Sequence, residues 1–338
     1  LPFTFSPTNN AGVVGDGNSI SGIFNSEEVN TIFWLQPNLQ GIVAGTQEGE
    51  YLIQTGSSNV GMTPANTKAD LVTSYGCANV EPKKTGLTTV FVQKYGRKVQ
   101  EYLSDIFSGR FYSPNASQNA QHLTKGGVQE LAYEDGLENI VWARTGLGKL
   151  IGCTYNRITL SSTAEPLYQG WHQHSLGSGQ TVDSICVGPS DNGELKSLAI
   201  VAHDSSNVYH VQVARPLFDE EAGMTDAWFL DDATVPVCGL TTTVGGITGL
   251  TFHGLKYLKG KQVDIFCAGL DLGTWTVASD SVFVPYGKDP AGLFTQRYLA
   301  ELTQEGNNYG DMACPIDGGL LTVPVIVGFS YTTQVQLV

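Results

Sequence analysis

The chain has 338 residues, 41% of them hydrophobic, and its 32 acidic residues outweigh 18 basic ones to give a formal charge of −14. That balance excludes simple electrostatic capture of nucleic acid or of an anionic membrane, since both carry the same sign of charge. No apolar run approaches the roughly 18 to 20 residues that cross a bilayer as a helix, and no basic stretch leading into an apolar one marks a secretory signal.

The start, Leu1-Pro-Phe-Thr-Phe5, lacks an initiator Met, and the end, Gln334-Val-Gln-Leu-Val338, reads as a strand. Both suggest a piece of a longer protein. From about residue 20 onward a β-rich unit of about fifty residues recurs four times, the period of propeller blades. Its first strands are Val29-Asn-Thr-Ile-Phe-Trp-Leu35, Cys77-Ala-Asn-Val80, Val128-Gln-Glu-Leu-Ala-Tyr133 and Val182-Asp-Ser-Ile-Cys-Val187. Second strands follow at Gly41–Ala44, Thr89–Gln93, Asn139–Trp142 and Ser197–Val201, and third strands at Glu50–Gln54, Arg97–Glu101, Lys149–Cys153 and Val208–Gln212. The stretches Gly56–Pro64 and Tyr112–Asn119 are polar and read as surface loops.

The acidic run Pro216-Leu-Phe-Asp-Glu-Glu-Ala-Gly-Met-Thr-Asp226 breaks the pattern. It divides the chain into a propeller region over 1–215, a linker over 216–245 and a small β-sandwich or barrel over 246–338. In the last part, Gln262–Cys267, Trp275–Ala278, Val282–Val284, Leu320–Val327 and Tyr331–Leu337 read as strands, and Pro324 marks its strand as an edge or a bulge. Phe294–Leu302 is the best helical pattern in an otherwise all-β chain.

Chemistry-bearing residues are sparse. His172 and His174 have the i, i+2 spacing that puts two rings on one face of a strand, but a catalytic zinc needs a third ligand and an oriented surround. Adjacent carboxylates at Glu27/Glu28, Asp219/Glu220/Glu221 and Asp231/Asp232 read as solvated acidic stretches rather than as the spaced pair of a glycosidase. Gly45-Thr-Gln-Glu-Gly49 joins strand to strand, so it is a turn and not a phosphate cradle at a helix start. Asp191-Asn-Gly193 reads as a hairpin turn, not a calcium loop. Lys83-Lys84 and Lys94-Tyr-Gly-Arg-Lys98 are the concentrated basic spots, too small for a nucleic-acid groove. The six cysteines lack any CxxC spacing and read as buried free thiols. No catalytic residue, cofactor or metal site is predicted.

One ordered series of segments resembles a known family. Tyr75-Gly-Cys-Ala-Asn-Val80, Val90-Phe-Val-Gln93 and Gly96-Arg-Lys-Val-Gln-Glu101 look like a central stretch of the tail tubular or nozzle-type proteins of short-tailed bacteriophages, close to packaged-DNA stabilisation components. The pattern extends upstream through Ile42–Tyr51 and downstream through His122–Thr124, Glu130–Tyr133, Ile140–Trp142, Leu150–Asn156 and Gly170–His172. Leu258–Val263 and Val327–Tyr331 fit more weakly. The resemblance implies a virion structural protein with a propeller, no enzymatic activity and assembly into a ring, the family suggesting a hexamer. Implied partners are a neighbouring tail adaptor or tubular protein, tail fibres, and viral DNA passing without sequence-specific binding. In that setting Asp219, Glu220 and Glu221 would be channel-facing carboxylates that repel phosphates. The alternative is a glycan-binding or glycan-cleaving propeller, for which Trp34, Trp142, Trp171, Trp228 and Trp275 would have to stack on sugars. Trp residues inside apolar strands are more naturally core.

Overall fold

The computed structural model describes residues 12–24, 30–56, 60–86, 88–104, 111–136, 139–156, 168–176, 179–189, 196–214, 230–234, 237–267, 270–285, 313–316 and 321–330, together with Thr8. The protein is all-β, built from several small antiparallel sheets, with no closed barrel among the described residues. It divides into two compact units, one of residues 1–173 and 182–200, the other of residues 174–181 and 201–338.

The first sheet is an up-and-down meander of β1 (Ile32–Asn38), β2 (Gly41–Thr46), β3 (Glu50–Thr55) and β4 (Thr67–Thr73). The second repeats it with β5 (Lys83–Thr85), β6 (Thr88–Val92), β7 (Val99–Ser104) and β8 (Phe111–Tyr112). In the third, β9 (Val128–Glu134), β10 (Ile140–Thr145), β11 (Leu150–Asn156) and β12 (Tyr168–His174) again lie in chain order. The fourth holds β13 (Thr181–Pro189), β14 (Lys196–His203) and β15 (Tyr209–Val213). These sheets coincide with the four sequence repeats, each a blade-like meander.

Two backbone hydrogen bonds recur from repeat to repeat. The turn after each second strand accepts from the residue that opens the next repeat: Cys77 N to Thr46 O (2.8 Å), Val128 N to Gly96 O (2.7 Å) and Val182 N to Gly148 O (2.8 Å). The same turns donate to the residue that leads into their own repeat, in Gln47 N to Thr31 O (3.0 Å), Lys94 N to Gly76 O (2.9 Å) and Gly146 N to Gly127 O (2.8 Å). Gly76 has φ +67, and a Cβ there would run into the carbonyl of Gln47, so this junction requires glycine.

Apolar faces fill the space between sheets. Trp34, Val43 and Leu52 of the first sheet meet Cys77, Phe91 and Tyr102 of the second repeat. Val90, Val92 and Val99 then meet Val128, Leu131, Val141, Ile151 and Cys153. One expected strand is displaced. Cys77 makes only an isolated bridge to Gln93 and Ala78 N donates to Val92 O, and regular pairing resumes at Lys83↔Val90. Pro82, which has no N–H to give a ladder, lies in the interruption.

The second unit carries β16 (Asp231–Thr234), β17 (Val237–Val244), β18 (Ile247–His253), β19 (Gln262–Cys267), β20 (Leu270–Thr276), β21 (Ser281–Pro285), β22 (Ala313–Ile316) and β23 (Leu321–Phe329). One sheet runs β16-β23-β19-β20 with β22 also on β23, and the other runs β17-β18-β21. Leu250, Phe252, Val282 and Val284 of the second sheet share one core with Val263, Ile265, Leu272, Val325 and Val327 of the first. Two sheets around a common core form a sandwich.

Three expectations need correction here. The stretch 216–245, read as a linker, contains β16 and β17; Gly245 and Gly246, both at positive φ (60° and 84°), make the tight hairpin into β18. β23 as a whole is not an edge strand, because β16 and β19 both pair with it beyond Pro324; at Pro324 itself the pairing is with Ala313 of β22 alone, so the edge character is local to the proline. Tyr112, expected in a loop, closes β8. Phe294–Leu302 and Tyr331–Leu337 lie outside the described residues.

Candidate functional site

A cleft of the first unit is open, polar and about 870 Å³ in volume. It is built on the first strands of three successive sheets. Lys83 and Lys84 come from β5, Glu130 and Tyr133 from β9, and Asp183, Ser184 and Cys186 from β13, with Arg144 and Lys196 reaching in from β10 and β14. Strand alternation places these side chains: on β13, Ile185 is buried while its neighbours Ser184 and Cys186 on the opposite face are exposed.

Three ion pairs lie in the cleft lining. Glu130 Oε2 accepts from Arg144 Nε (3.3 Å) and from the backbone N–H of Ile185 (3.1 Å), and its Oε1 accepts from Ser184 Oγ (3.0 Å). Lys83 pairs with Glu81 at 2.8 Å, and Lys196 pairs with Asp135. Glu130 thereby ties the third sheet to the fourth. The lining holds four cationic and four anionic residues, so it is neutral in a chain of −14. It offers amides, a hydroxyl, a thiol and a phenol beside paired ions.

Two other carboxylates of this unit are buried completely or nearly so. Glu50 on β3 accepts from Thr73 Oγ1 and from Cys77 Sγ (3.1 Å), and burial holds its carboxyl above the usual carboxylate range. Burial, with the Glu50 charge beside it, also raises the Cys77 thiol and lifts Tyr102 well above an ordinary phenol. Cys77 is therefore an inert thiol. Glu101 on β7 accepts from Tyr155 OH of the third sheet at 2.8 Å. At the surface, Lys94 Nζ meets Glu48 Oε2 at 2.9 Å, between the turns of the first and second sheets. Each of these carboxylates holds one repeat to its neighbour.

The sequence candidates fall into place around this frame. Gly45–Gly49 is the β2–β3 turn, closed by Thr46 N to Gly49 O (3.0 Å) and Thr46 Oγ1 to Gly49 O (2.6 Å). His172 stands edge-on to the Trp142 ring at 5.6 Å on β12, and among the described residues no group of three His, Cys, Asp or Glu could hold a metal. Trp34 and Trp142 are buried, and Trp275 packs on the core of the second unit. Cys77 and Cys153 are buried free thiols, but Cys186 is exposed because the alternation of β13 turns it into the cleft. Asp219, Glu220, Glu221, Glu27, Glu28, Trp228 and Asp191–Gly193 lie outside the described residues, and so do the side chains of Asp231 and Asp232. The cleft itself was missed by sequence reasoning. No residue-type signal in the chain marks it, because its lining comes from strands far apart in sequence. No helix among the described residues is long and apolar enough to cross a membrane.

No family model matches the chain, and no curated protein matches it either.

Proposed function

We propose that this chain is a non-enzymatic structural component of a bacteriophage tail, of the tail-tube or nozzle type, and that copies of it form a ring around the DNA channel. The observation that carries the reading is the fate of the ionised side chains in the first unit. Glu50, Glu101, Glu130 and Glu48 are spent on joining one repeat to the next, and in the cleft Lys83 pairs with Glu81 and Lys196 with Asp135. Such a unit is organised for mechanical continuity, not for turnover. The family-like segments support the same choice: Ile42–Tyr51 lies in the first sheet, Val90–Gln93 and Gly96–Glu101 bracket β6 and β7, and Glu130–Tyr133, Ile140–Trp142 and Leu150–Asn156 form the third.

In this reading the protein belongs to the virion tail, assembled in the bacterial cytoplasm, beside a tail adaptor or tubular protein and the fibres. The negative charge lets DNA slide without adhering, because carboxylates facing the lumen repel phosphates. Asp219, Glu220 and Glu221 are the proposed lumen cluster. Burial of Trp34 and Trp142 removes two of the five stacking platforms that a glycan-binding propeller would need.

The test is electron microscopy of the protein mixed with its neighbouring tail components. Six-fold rings with a channel wide enough for duplex DNA are expected. A persistent monomer that binds oligosaccharides through the cleft would overturn the proposal.

A further inference from the structure

Sheets one to three each place an antiparallel fourth strand on the outer edge of the third: β4 on β3, β8 on β7 and β12 on β11. The fourth sheet has three strands among the described residues and ends at β15. On that edge strand Tyr209, Val211 and Val213 are 65%, 75% and 60% exposed, at the i, i+2, i+4 spacing that puts them on one face. An apolar edge strand of this kind is a template for another strand.

The same chain carries a segment suited to that position. Residues 12–24 precede β1 and form no strand. A turn closes there through Asn18 N to Gly15 O (3.0 Å) and Gly15 N to Asn18 Oδ1 (2.7 Å). Phe24 then stacks on Tyr51 of β3 at 4.6 Å and anchors the end of the arm. Val13, Val14 and Ile20 are about half exposed, and Ile23 is 98% exposed.

Charge selects these two surfaces for contact between copies. At −14 per chain, copies repel each other, and they meet at least cost through stretches poor in carboxylates. The arm over 12–24 has Asp16 as its only ionisable side chain, and Val208–Val213 has no carboxylate, its His210 standing 3.8 Å from Asp204 of its own hairpin.

We infer that the arm of one copy adds as a strand to the β15 edge of a second copy and lays Ile23 on the face that carries Tyr209, Val211 and Val213. The contact is heterologous, so it propagates from copy to copy and closes when the rotation allows. It rests on the part of the proposed function in which copies meet, and it names the surfaces.

The experiment compares hydrogen exchange over residues 209–213 at low and high protein concentration in the full chain, in Ile23→Asp and in Val211→Asp. Both substitutions are at exposed positions, and circular dichroism checks that the fold is kept. Protection that rises with concentration, is lost in each variant, and returns when the two variants are mixed is expected, because the mixture pairs an intact arm with an intact edge. Protection independent of concentration means the edge is covered within one copy and overturns the inference. Protection untouched by Ile23→Asp means edge-to-edge pairing or another occupant and overturns it too, as does a lack of protection at every concentration. A ring seen by microscopy with β15 unprotected removes this contact and leaves the ring. Arm exchange confined to pairs removes the ring and leaves the contact.

Discussion

The two units solve the same packing problem with different materials. In the second unit, two sheets share a core of Leu250, Phe252, Leu255, Leu258, Val263, Ile265, Leu272 and their neighbours, with Asp264 as the one buried charge among the described residues, held by Thr274 Oγ1 at 2.5 Å. The first unit also buries apolar faces between sheets, but it adds Glu50, Glu101, Gln100, Thr46, Thr145, Ser117 and Thr124 to its interior. Apolar burial is non-directional and tolerates small slips of one sheet over another. A buried carboxylate with named donors tolerates none, because a slip leaves it unpaired in a low-dielectric interior. Similar sheets stacked in series need that discrimination, since each apolar face resembles the next. A two-sheet sandwich has one way to close and does not.

The largest effect should come from the apolar unit. Phe252→Ala deletes a fully buried ring and is expected to cost about 3–5 kcal/mol. Hydrogen exchange should show protection lost across β18, β19, β21 and β23, with the first three sheets unchanged. Equal loss in both units would mean that their stabilities are not separable. Next comes Tyr155→Phe, which takes one donor from the buried Glu101 carboxylate. Hydrogen bonds to charged groups place the cost at about 1.5–3 kcal/mol. A Tyr155→Phe/Glu101→Gln double-mutant cycle in denaturant should return a coupling energy. A coupling near zero would remove the polar staple from the contrast between the units.

How much of this was legible in the chain varies with burial. First, second and third strands of the repeats stood out as short apolar runs between polar or glycine-containing turns, as in Gly41–Ala44 and Lys149–Cys153. Fourth strands did not. β4, Thr67-Lys-Ala-Asp-Leu-Val-Thr73, faces solvent along most of its length and so carries little apolar pattern. The hydrogen bonds that tie repeat to repeat are made by backbone atoms, which leave no residue-type signal beyond glycines such as Gly76. β17 was hidden by its run of threonines and glycine, though the Gly245-Gly246 pair was a readable hairpin mark. The cleft was illegible for another reason: it brings together residues from 79 to 196 that only the stacking of sheets makes neighbours.

A smaller effect, and a sharper one, separates the staples by pH. Glu50 in the folded chain has a carboxyl pKa raised by burial, so it binds its proton at pH values where the unfolded chain has already lost it. The folded state then holds more protons than the unfolded state. Stability therefore falls as pH rises from the ordinary carboxylate pKa through the raised one, and stays at the lower level above it. Glu50→Gln keeps an acceptor for Cys77 and a polar partner for Thr73 without the ionisation. Its stability relative to the parent should be nearly equal at low pH and should grow as pH crosses that window. Denaturant midpoints measured from pH 4 to pH 8 check this, and parallel curves for the two proteins would show that Glu50 does not titrate across it.

The smallest expected effect lies at the surface, on the hairpin before β15. Asp204 Oδ1 accepts from the backbone N–H groups of Ser206 (2.8 Å) and Val208 (3.0 Å), and Asn207 takes a left-handed φ of 58° inside that turn. Those two donors hold the Asp204 carboxyl below its ordinary pKa, so the sign is opposite to that of Glu50. Its contribution is present above the unfolded pKa and is lost as pH falls through the lowered one. Asp204→Ala should speed amide exchange at Ser206 and Val208 and leave the buried strands of the fourth sheet untouched. Because this turn sets where β15 begins, the same variant should also weaken any strand that adds to its edge. Loosened turn amides with an unaltered β15 would show that the strand's register is held by its pairing with β14 alone.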